Sequence, residues 1–316
     1  MKRKWNSGEQ SLDQLLTRCE GAYSQNTLRG YRNALEQFRR WCALRRLEWL
    51  PATSRAIAEF VDDEAKTKAM ATVKHRLDAI RFAHMMADLP CPTQHSEVRL
   101  AVRRARRKKP ARQDQVLGLT TEMLARMIEA CPETMAGRRD AALIRVGYDT
   151  LCRSSELVLL QVENLSDGFS SILVPRAKSD PFGEGRIAYL SNETIENLKG
   201  WLEISGIEEG PLFRGLHTRR LSSNALTTPS IRRIVKRAAS RAGLSSAEVG
   251  GLSGHSMRVG AAQDMLVAGI DTLGIMQAGG WKSQTVLARY VENASTERIH
   301  HHRWKQLAEM RTVPAA

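Results

Sequence analysis

The side chains best suited to chemistry lie between positions 251 and 293. His255 and Arg258 are three residues apart, and the following run AAQDML is typical of a helix, which would place both side chains on one face. Ser253 and Gly254 precede that face, where a helix leaves its first N–H groups without partners. An imidazole, a guanidinium and unpaired amides together suit a phosphate oxygen.

Tyr290 is the candidate nucleophile of this stretch. Of the five tyrosines, it is the one that lies close in sequence to the histidine, the arginine and Trp281. Tyr31 falls instead on the apolar stripe of a predicted helix, and Tyr189 lies in a strand-like alternation. A tyrosine taken alone is usually a core or interface residue. The interpretation therefore depends on the whole group of side chains.

The same stretch resembles the active-site region of the tyrosine recombinases, the phage integrase family. Its runs SGHSMRVGAAQDM and IMQAGGW most resemble the Cre-like branch. In that family a His-x-x-Arg pair, a downstream His or Trp, and a Tyr shortly after it form the catalytic C-terminal half. The resemblance assigns His255, Arg258, Trp281 and Tyr290 to these positions. Trp281 is expected to pack in the site and to hydrogen-bond through its indole N–H.

The resemblance also assigns three catalytic positions farther upstream. Arg153 follows a strongly apolar helix and matches the first catalytic arginine of the family, with Glu156 as the acidic residue three places on. Glu156 is expected to hold neighbouring groups rather than to touch phosphate. Lys178 lies at the turn end of a predicted strand and matches the family's hairpin lysine, although Arg176 is a rival cation.

The implied reaction is attack of Tyr290 on a DNA phosphate. It would give a 3′-phosphotyrosine and a free 5′-hydroxyl, and a second strand would reverse the step through a Holliday junction. Arg153 and Arg258 would bind the non-bridging oxygens. His255 would help to take the tyrosine proton, and Lys178 would protonate the departing 5′ oxygen. Because the covalent link conserves the bond energy, we expect neither a cofactor nor a metal.

Composition points to the same kind of partner. The chain has 316 residues and a formal charge of +14, which favours two domains and a polyanionic partner, nucleic acid before an anionic membrane. No apolar run approaches the roughly 20 residues of a membrane-spanning helix. Basic residues at the start precede no signal core, so we expect an intracellular protein. The resemblance implies a cytoplasmic, nucleoid-associated protein of bacterial, plasmid or phage origin.

Two residue types that often build metal sites do not do so in this pattern. The five cysteines are odd in number and include no C-x-x-C pair, so the sequence supports neither a disulfide framework nor a zinc site. The consecutive histidines at 300–302 would spread around a helix rather than converge on one ion.

Residues 1–108 are predicted to form an all-helical domain. Apolar residues recur at helical spacing over 28–42, 54–65 and 69–86, and another helix begins near Ser96. The outer faces of these helices are basic. The resemblance makes this unit a SAM-like core-binding domain, and residues 109–118 a basic linker between the domains.

The remaining chain is predicted to be a mostly helical catalytic domain with a small antiparallel sheet, so that the whole protein is mainly α. This domain covers 119–293 and contains a predicted hairpin at 168–191, a loop-rich stretch at 210–230 and a basic helix at 230–244. Residues 294–316 form a last helix. The resemblance implies that this helix is exchanged between protomers, and folding back onto its own domain is the alternative.

Basic side chains on these elements are the predicted DNA contacts. The run RRARRKKPAR at 103–112 is expected to cross phosphates in a sequence-independent and salt-dependent way, unless it is simply a solvated linker or a localisation tag. The helix after Thr227 suits a major groove, but Pro229 falls where relatives have an arginine, so no base preference carries over. The predicted contacts are Arg29, Arg32, Lys74, Arg81, Arg103, Arg104, Arg106, Arg107, Lys108, Thr227, Arg232, Arg233 and Lys236.

The resemblance implies a site-specific recombinase that acts as a homotetramer on two double-stranded DNAs with inverted-repeat target sites. A type IB topoisomerase or a hairpin telomere resolvase would use the same chemistry. A non-catalytic DNA-binding regulator is the alternative from another class, and would tolerate loss of the Tyr290 hydroxyl. A role at a membrane surface is disfavoured, because no helix combines a wide apolar face with its basic one.

Overall fold

A computed structural model describes residues 9–109, 115–175, 185–217, 220–294 and 296–311. The chain divides into two compact units, residues 1–114 and 115–316. The two units are described separately below. Each of them has its own cluster of buried apolar side chains.

Unit 1 is helical throughout the residues described. Ser24 and Thr53 begin two of its helices by accepting a hydrogen bond from the backbone N–H three residues on, which satisfies a donor that the helix itself cannot. The helices are α1 (Glu9–Thr17), α2 (Gln25–Leu44), α3 (Ser54–Thr67), α4 (Met70–Met86) and α5 (Ser96–Lys108).

The core of unit 1 follows the predicted apolar stripes. Leu35 and Phe38 of α2 are fully buried and pack with Phe60 of α3 and Ile80 of α4. His84 lies in the same core, where Nδ1 hydrogen-bonds to the Ile80 carbonyl at 2.8 Å and Nε2 accepts from the Ala52 N–H at 3.0 Å. Burial lowers the pKa of His84, so this histidine is a neutral core residue.

Unit 2 consists of helices and two small sheets. Its helices are α6 (Thr121–Glu129), α7 (Met135–Asp149), α8 (Ser154–Leu157), α9 (Asn192–Ser205), α10 (Thr228–Arg241), α11 (Ser246–Gly251), α12 (Ser256–Val267), α13 (Thr272–Gly279), α14 (Gln284–Val291) and α15 (Thr296–Arg311). Its strands are β1 (Ser171–Val174), β2 (Arg186–Tyr189), β3 (Arg214–His217) and β4 (Arg220–Ala225).

Helix α7 runs through the centre of unit 2. Leu143 and Ile144 are completely buried, because α9 packs on one side of the helix and α12 on another. Trp201 of α9 is also fully buried, and its indole N–H donates to the Leu212 carbonyl at 2.9 Å. This core fixes the end of α7 and the start of α12, which are two of the places that carry predicted site residues.

The predicted hairpin at 168–191 is confirmed by the pairing of its strands. β1 and β2 are antiparallel, with Ser171 opposite Tyr189 and Val174 opposite Arg186. Lys178 and Arg176 lie between these strands and outside the described residues.

A second hairpin corrects the prediction that 210–230 is loop-rich. β3 and β4 pair antiparallel, with Arg214 opposite Ala225 and His217 opposite Arg220. The residues of this stretch show no alternation of apolar and polar types, because the side chains of β4 are all at least partly exposed. Backbone hydrogen bonds define this hairpin, and they leave no periodic pattern in the sequence.

The fold class is therefore mainly α with small antiparallel sheets, as predicted. No helix among the described residues is both long and apolar enough to cross a membrane.

Candidate active site

Helix α12 carries two of the predicted site residues at its first turn. His255 is the N-cap residue, and its backbone N–H donates to the Ser253 hydroxyl at 3.1 Å. Arg258 is three residues farther on and is fully buried. Gly254 is required here, since a Cβ at this position would lie 2.4 Å from the Ser154 hydroxyl oxygen. The missing side chain lets the starts of α8 and α12 approach each other.

Tyr290, on α14, lies against these residues. Its hydroxyl oxygen is 2.8 Å from Nε2 of His255. Its ring meets the Trp281 ring edge to face, with centroids 5.0 Å apart. The Arg258 guanidinium carbon lies 3.9 Å from the centre of the Trp281 ring and 5.4 Å from that of Tyr290. The structure thus brings four predicted residues from three elements into one cluster.

The two glycines before Trp281 are explained by the position of its ring. The indole lies directly over Gly279, where an added Cβ would be 1.9 Å from a ring carbon. Gly280 ends α13 with φ of 66°, a left-handed conformation that costs a glycine little. The two glycines therefore let the chain turn so that the Trp281 indole packs over the end of α13. The Trp281 side chain is only 4% exposed.

Arg258 has hydrogen-bond donors without acceptors. Its Nη1 donates to the Leu151 carbonyl, but Nε and Nη2 are buried and have no partner among the described residues. The Trp281 indole N–H, which was predicted to hydrogen-bond, is unpaired in the same sense. Burial, followed by the charge of Arg153, lowers the pKa of Arg258 to about 10. Unpaired buried donors are costly, and an anionic ligand would satisfy them.

Arg153 is held by Glu156. The Arg153 Nη1 donates to Oε1 of Glu156 at 2.5 Å, and the Arg153 backbone N–H donates to Oε2 at 2.9 Å. The carboxylate is buried, whereas 28% of the Arg153 side-chain surface is exposed. This arrangement agrees with the expectation that Glu156 holds a neighbouring group.

His255 is neutral at ordinary pH in this site. Burial lowers its pKa to about 4, and the charges of Arg258 and Arg153 act in the same direction, with Glu156 opposing them. In the tautomer that carries its proton on Nδ1, a neutral imidazole accepts the Tyr290 O–H at Nε2. The charge of Arg153 lowers the pKa of both His255 and Arg258, so Arg153 lies within electrostatic reach of both side chains.

Arg186 is a residue near the site that the sequence did not reveal. At the start of β2, its Nη2 donates to the Thr150 carbonyl at 2.5 Å and its Nη1 to the Ala278 carbonyl at 2.9 Å. Its Nη2 also lies 3.9 Å from Oε2 of Glu156. Arg186 thus ties the end of α7 to the end of α13. An arginine that opens a strand has no distinctive spacing, so no local pattern would have found it.

Two glutamines contact the backbone of Tyr290 and were also missed. The side-chain amide of Gln115 donates to the Tyr290 carbonyl at 3.1 Å, and that of Gln263 donates to the same oxygen at 3.2 Å. Gln263 is on α12, five residues after Arg258, whereas Gln115 opens unit 2.

Most of the predicted DNA contacts are exposed, but several have partners within their own unit. Arg32 pairs with Asp13, and Arg104, itself exposed, pairs with Asp62 through two hydrogen bonds. Lys236 donates to the carbonyls of Val249 and Gly250, each at 2.8 Å. The other exposed ones are Arg29, Lys74, Arg81, Arg103, Arg106, Arg107 and Lys108 in unit 1, and Thr227, Arg232 and Arg233 in unit 2.

A cationic groove runs between β4 and α10. Asn224, Thr227 and Arg233 line it, together with Arg139 and Arg237. Behind it lies the fully buried Asp140, which accepts from Arg139 at 2.6 Å and from Arg237 at 2.7 Å. The groove is therefore positive, and polar side chains stand at its edge.

Within the described ranges, no three or more His, Cys, Asp or Glu side chains converge in a way that could hold a metal ion. His300 and His301 instead lie against the Trp304 ring, with centroids 5.8 Å apart in both cases.

Comparison with known proteins agrees with this geometry. Residues 118–297 match the phage integrase family, and residues 13–87 match the N-terminal SAM-like domain of phage integrases. The chain belongs to the phage integrase family. It is a tyrosine site-specific recombinase, an enzyme that cleaves and rejoins DNA.

The individual relatives cover most of the chain. An integrase/recombinase xerD homolog of Selenomonas ruminantium is 31% identical over 293 residues, which cover 88% of this chain and 84% of that protein. The recombinase cre of Escherichia phage P1 is 26% identical over 296 residues, covering 87% and 86%. Among solved structures, the Tn1549 transposon integrase in complex with transposon right end DNA superposes with a TM-score of 0.66 at 16% identity, covering 94% of this chain and 99% of that one. This last similarity concerns the fold alone.

Proposed function

We propose that Tyr290 is the nucleophile of this recombinase, and that the enzyme exchanges strands through a 3′-phosphotyrosine and a Holliday junction. The observation that carries the proposal is the 2.8 Å contact between the Tyr290 hydroxyl and His255, beside a buried guanidinium with two unpaired donors. A hydroxyl, a proton acceptor and a fixed cation are the three parts that phosphoryl transfer to an enzyme requires.

In the first step the Tyr290 oxygen attacks the phosphorus, and the bond between phosphorus and the 5′ oxygen breaks. His255 takes the phenol proton at Nε2, because its depressed pKa leaves that nitrogen free to accept. Lys178, at its predicted position, donates a proton to the 5′ oxygen. A 5′-hydroxyl of another strand then attacks the phosphorus. A new bond between phosphorus and the 5′ oxygen forms, and the bond between phosphorus and the Tyr290 oxygen breaks.

The charge that develops on the phosphate is stabilised by the two arginines. Arg258 offers Nε and Nη2, and the Trp281 indole N–H lies beside them. Arg153 is more exposed and is oriented by Glu156, so it approaches the phosphate from the open side. Fixed donors of this kind need no reorganisation when the charge forms, which is the basis of electrostatic catalysis.

The DNA partner is proposed to be a duplex with inverted-repeat sites, bound by a homotetramer that joins two duplexes. The charge of +14, the exposed basic side chains of α5 and the groove beside α10 support this. The solved XerH recombinase bound to a palindromic difH substrate and a lambda integrase dimer bound to a core site are proteins of similar fold.

We also propose the domain roles. Residues 1–108 would bind the core site, 109–118 would link the domains, and 119–293 would carry out the chemistry. Residues 294–316 would join protomers by exchange of the last helix. The enzyme would act in the cytoplasm, where the nucleoid is.

The test is covalent capture on a nicked duplex. A target selected from random duplexes and nicked near the cleavage point loses the short 5′-hydroxyl fragment, so any cleavage traps the enzyme. We expect a protein–DNA adduct whose linked peptide contains Tyr290. A failure to form any adduct with a tightly bound duplex would instead favour a non-catalytic regulator, and an adduct without junction resolution would favour a topoisomerase.

A further inference from the structure

We propose that Gln115 and Gln263 are positioning residues that hold Tyr290 through its main chain. Tyr290 is the last residue but one of α14, so its carbonyl belongs to a helix end that lacks intrahelical donors. The nearest following backbone bond, from the Ala294 N–H, goes to the Val291 carbonyl at 2.9 Å. The two glutamine amides supply the donors that this carbonyl would otherwise lack.

The Gln263 side chain is fixed by its surroundings. It is 8% exposed, and a Cβ at position 118 would lie 2.3 Å from its Oε1, so a glycine at 118 is needed to make room for it. The segment that includes Gly118 lies tightly on the start of α12, with the Leu119 N–H donating to the Ser256 carbonyl at 2.9 Å. Gln263 therefore has little freedom to turn away from Tyr290.

The Gln115 amide is oriented by a third side chain. Nδ2 of Asn293 donates to Oε1 of Gln115 at 3.1 Å, which leaves the Gln115 NH₂ group to face the Tyr290 carbonyl. Gln115, Gln263 and Asn293 thus form one network around a single backbone oxygen. Since Gln263 shares α12 with Arg258 and His255 caps that helix, the network fixes the nucleophile relative to its two partners.

Helix α14 needs such support. It has eight residues, Ser283 makes no side-chain hydrogen bond at its start, and Leu287 is its one fully buried side chain among those described. Tyr290 and Val291 pack, only partly buried, against the same apolar cluster as Leu287, so polar contacts add to what holds the helix. A displacement of about 1 Å in a reacting group can lower a rate about 10²-fold. This inference rests on the proposed role of Tyr290 as nucleophile. It adds the contacts that hold the Tyr290 side chain in position.

The test uses Gln263→Glu, Gln115→Glu and the double variant, with Gln277→Glu as the control. Glutamate keeps the shape of glutamine but, when ionised, cannot donate to a carbonyl. Gln277 is an exposed glutamine on α13. The measurements are the rate of covalent capture in a single turnover, the affinity for the uncleaved duplex, and hydrogen exchange of the segment 284–294.

We expect each single variant to lower the capture rate about tenfold and the double variant about 10²-fold, with affinity within about twofold of the parent. The rate of Gln263→Glu relative to the parent should recover as the pH falls from 8 toward 5.5, because a protonated carboxyl group donates again. A general loss of structure would not recover in this way. The control should resemble the parent at every pH.

Hydrogen exchange separates this inference from the proposed function. If the parent captures DNA, an unchanged rate in the double variant overturns the positioning role. If the parent captures nothing, the proposed function fails, and the exchange data alone decide the inference. Faster exchange over 284–294 in the double variant, with no change in α9, supports it, and equal exchange rejects it.

Discussion

The Tyr290 hydroxyl lies 2.8 Å from Nε2 of His255, on a different helix and 35 residues away in sequence. This contact joins a potential nucleophile to a base whose pKa is lowered to about 4 by burial and by two nearby arginines. In the proposed mechanism, the same arginines also bind the phosphate. One cluster of cations would then both help to keep the imidazole neutral and stabilise the developing charge.

Removing the Tyr290 hydroxyl should abolish covalent capture without affecting binding. We expect Tyr290→Phe to give no detectable adduct and an affinity within about twofold of the parent, because the ring that packs on Trp281 is kept. Tyr189→Phe is the matched control, since this tyrosine is 77% exposed on β2. Adduct formation by Tyr290→Phe would exclude this residue as the nucleophile.

Replacing Arg258 should separate stability from activity. Two buried donors of Arg258 are unpaired, so replacing this side chain by an apolar one of similar length removes little that stabilises the fold. We therefore expect the free energy of unfolding of Arg258→Met to be within about 1 kcal/mol of that of the parent. Its cleavage rate should fall at least about 10²- to 10³-fold. Denaturant unfolding and single-turnover capture measure the two effects, with Arg18→Met, an exposed position in unit 1, as the control.

The buried neutral His255 predicts a pH dependence of stability. Its pKa is about 4 in the folded chain and 6.5 as an ordinary histidine, so the unfolded state binds more protons in between. The stability that depends on neutral His255 is complete above pH 6.5 and is lost as the pH falls toward 4. The free energy of unfolding of the parent, relative to that of His255→Gln, should fall by about 1–2 kcal/mol when the pH is lowered from 7 to 5. A constant difference would contradict the burial of a neutral imidazole.

A methyl group at Gly279 should disturb the site from within. Its Cβ would lie 1.9 Å from the Trp281 ring, which must then leave its place over Arg258. We expect Gly279→Ala to lose about 1–3 kcal/mol of stability and most of its cleavage activity. At Gly200, on α9, an added Cβ would have its nearest neighbouring atom 3.6 Å away, which is an ordinary contact. We therefore expect Gly200→Ala to raise the free energy of unfolding by about 0.5–1 kcal/mol.

Two neighbouring arginines of α5 should differ in their effect on DNA binding. Arg103 is exposed, whereas Arg104 makes two hydrogen bonds to Asp62. We expect Arg103→Gln to reduce the slope of log affinity against log salt by about one, as loss of a phosphate contact does. Arg104→Gln should change that slope less. Equal slopes for Arg103→Gln and the parent would remove this residue from the interface.

The fold class was predictable because its signals are local. The spacing of apolar residues predicted the helices of unit 1 and the buried helix α7. The residues at 168–191 predicted a hairpin, and its strands pair as expected. The second hairpin, β3–β4, was not predicted, because its exposed side chains carry no alternation. Lys178 lies outside the described residues, and its role stays a prediction.

The sequence by itself determined the residue types and the short spacings: His255 with Arg258 at one helix start, Arg153 with Glu156 three places on, and two glycines before Trp281. Such relations are set by the geometry of a single turn of chain. Tertiary structure alone decided that Gln115 would reach the Tyr290 carbonyl across 175 positions, and that Arg186 would join the ends of α7 and α13. These contacts depend on how distant helices pack, and packing leaves no periodic mark on the residues that it brings together.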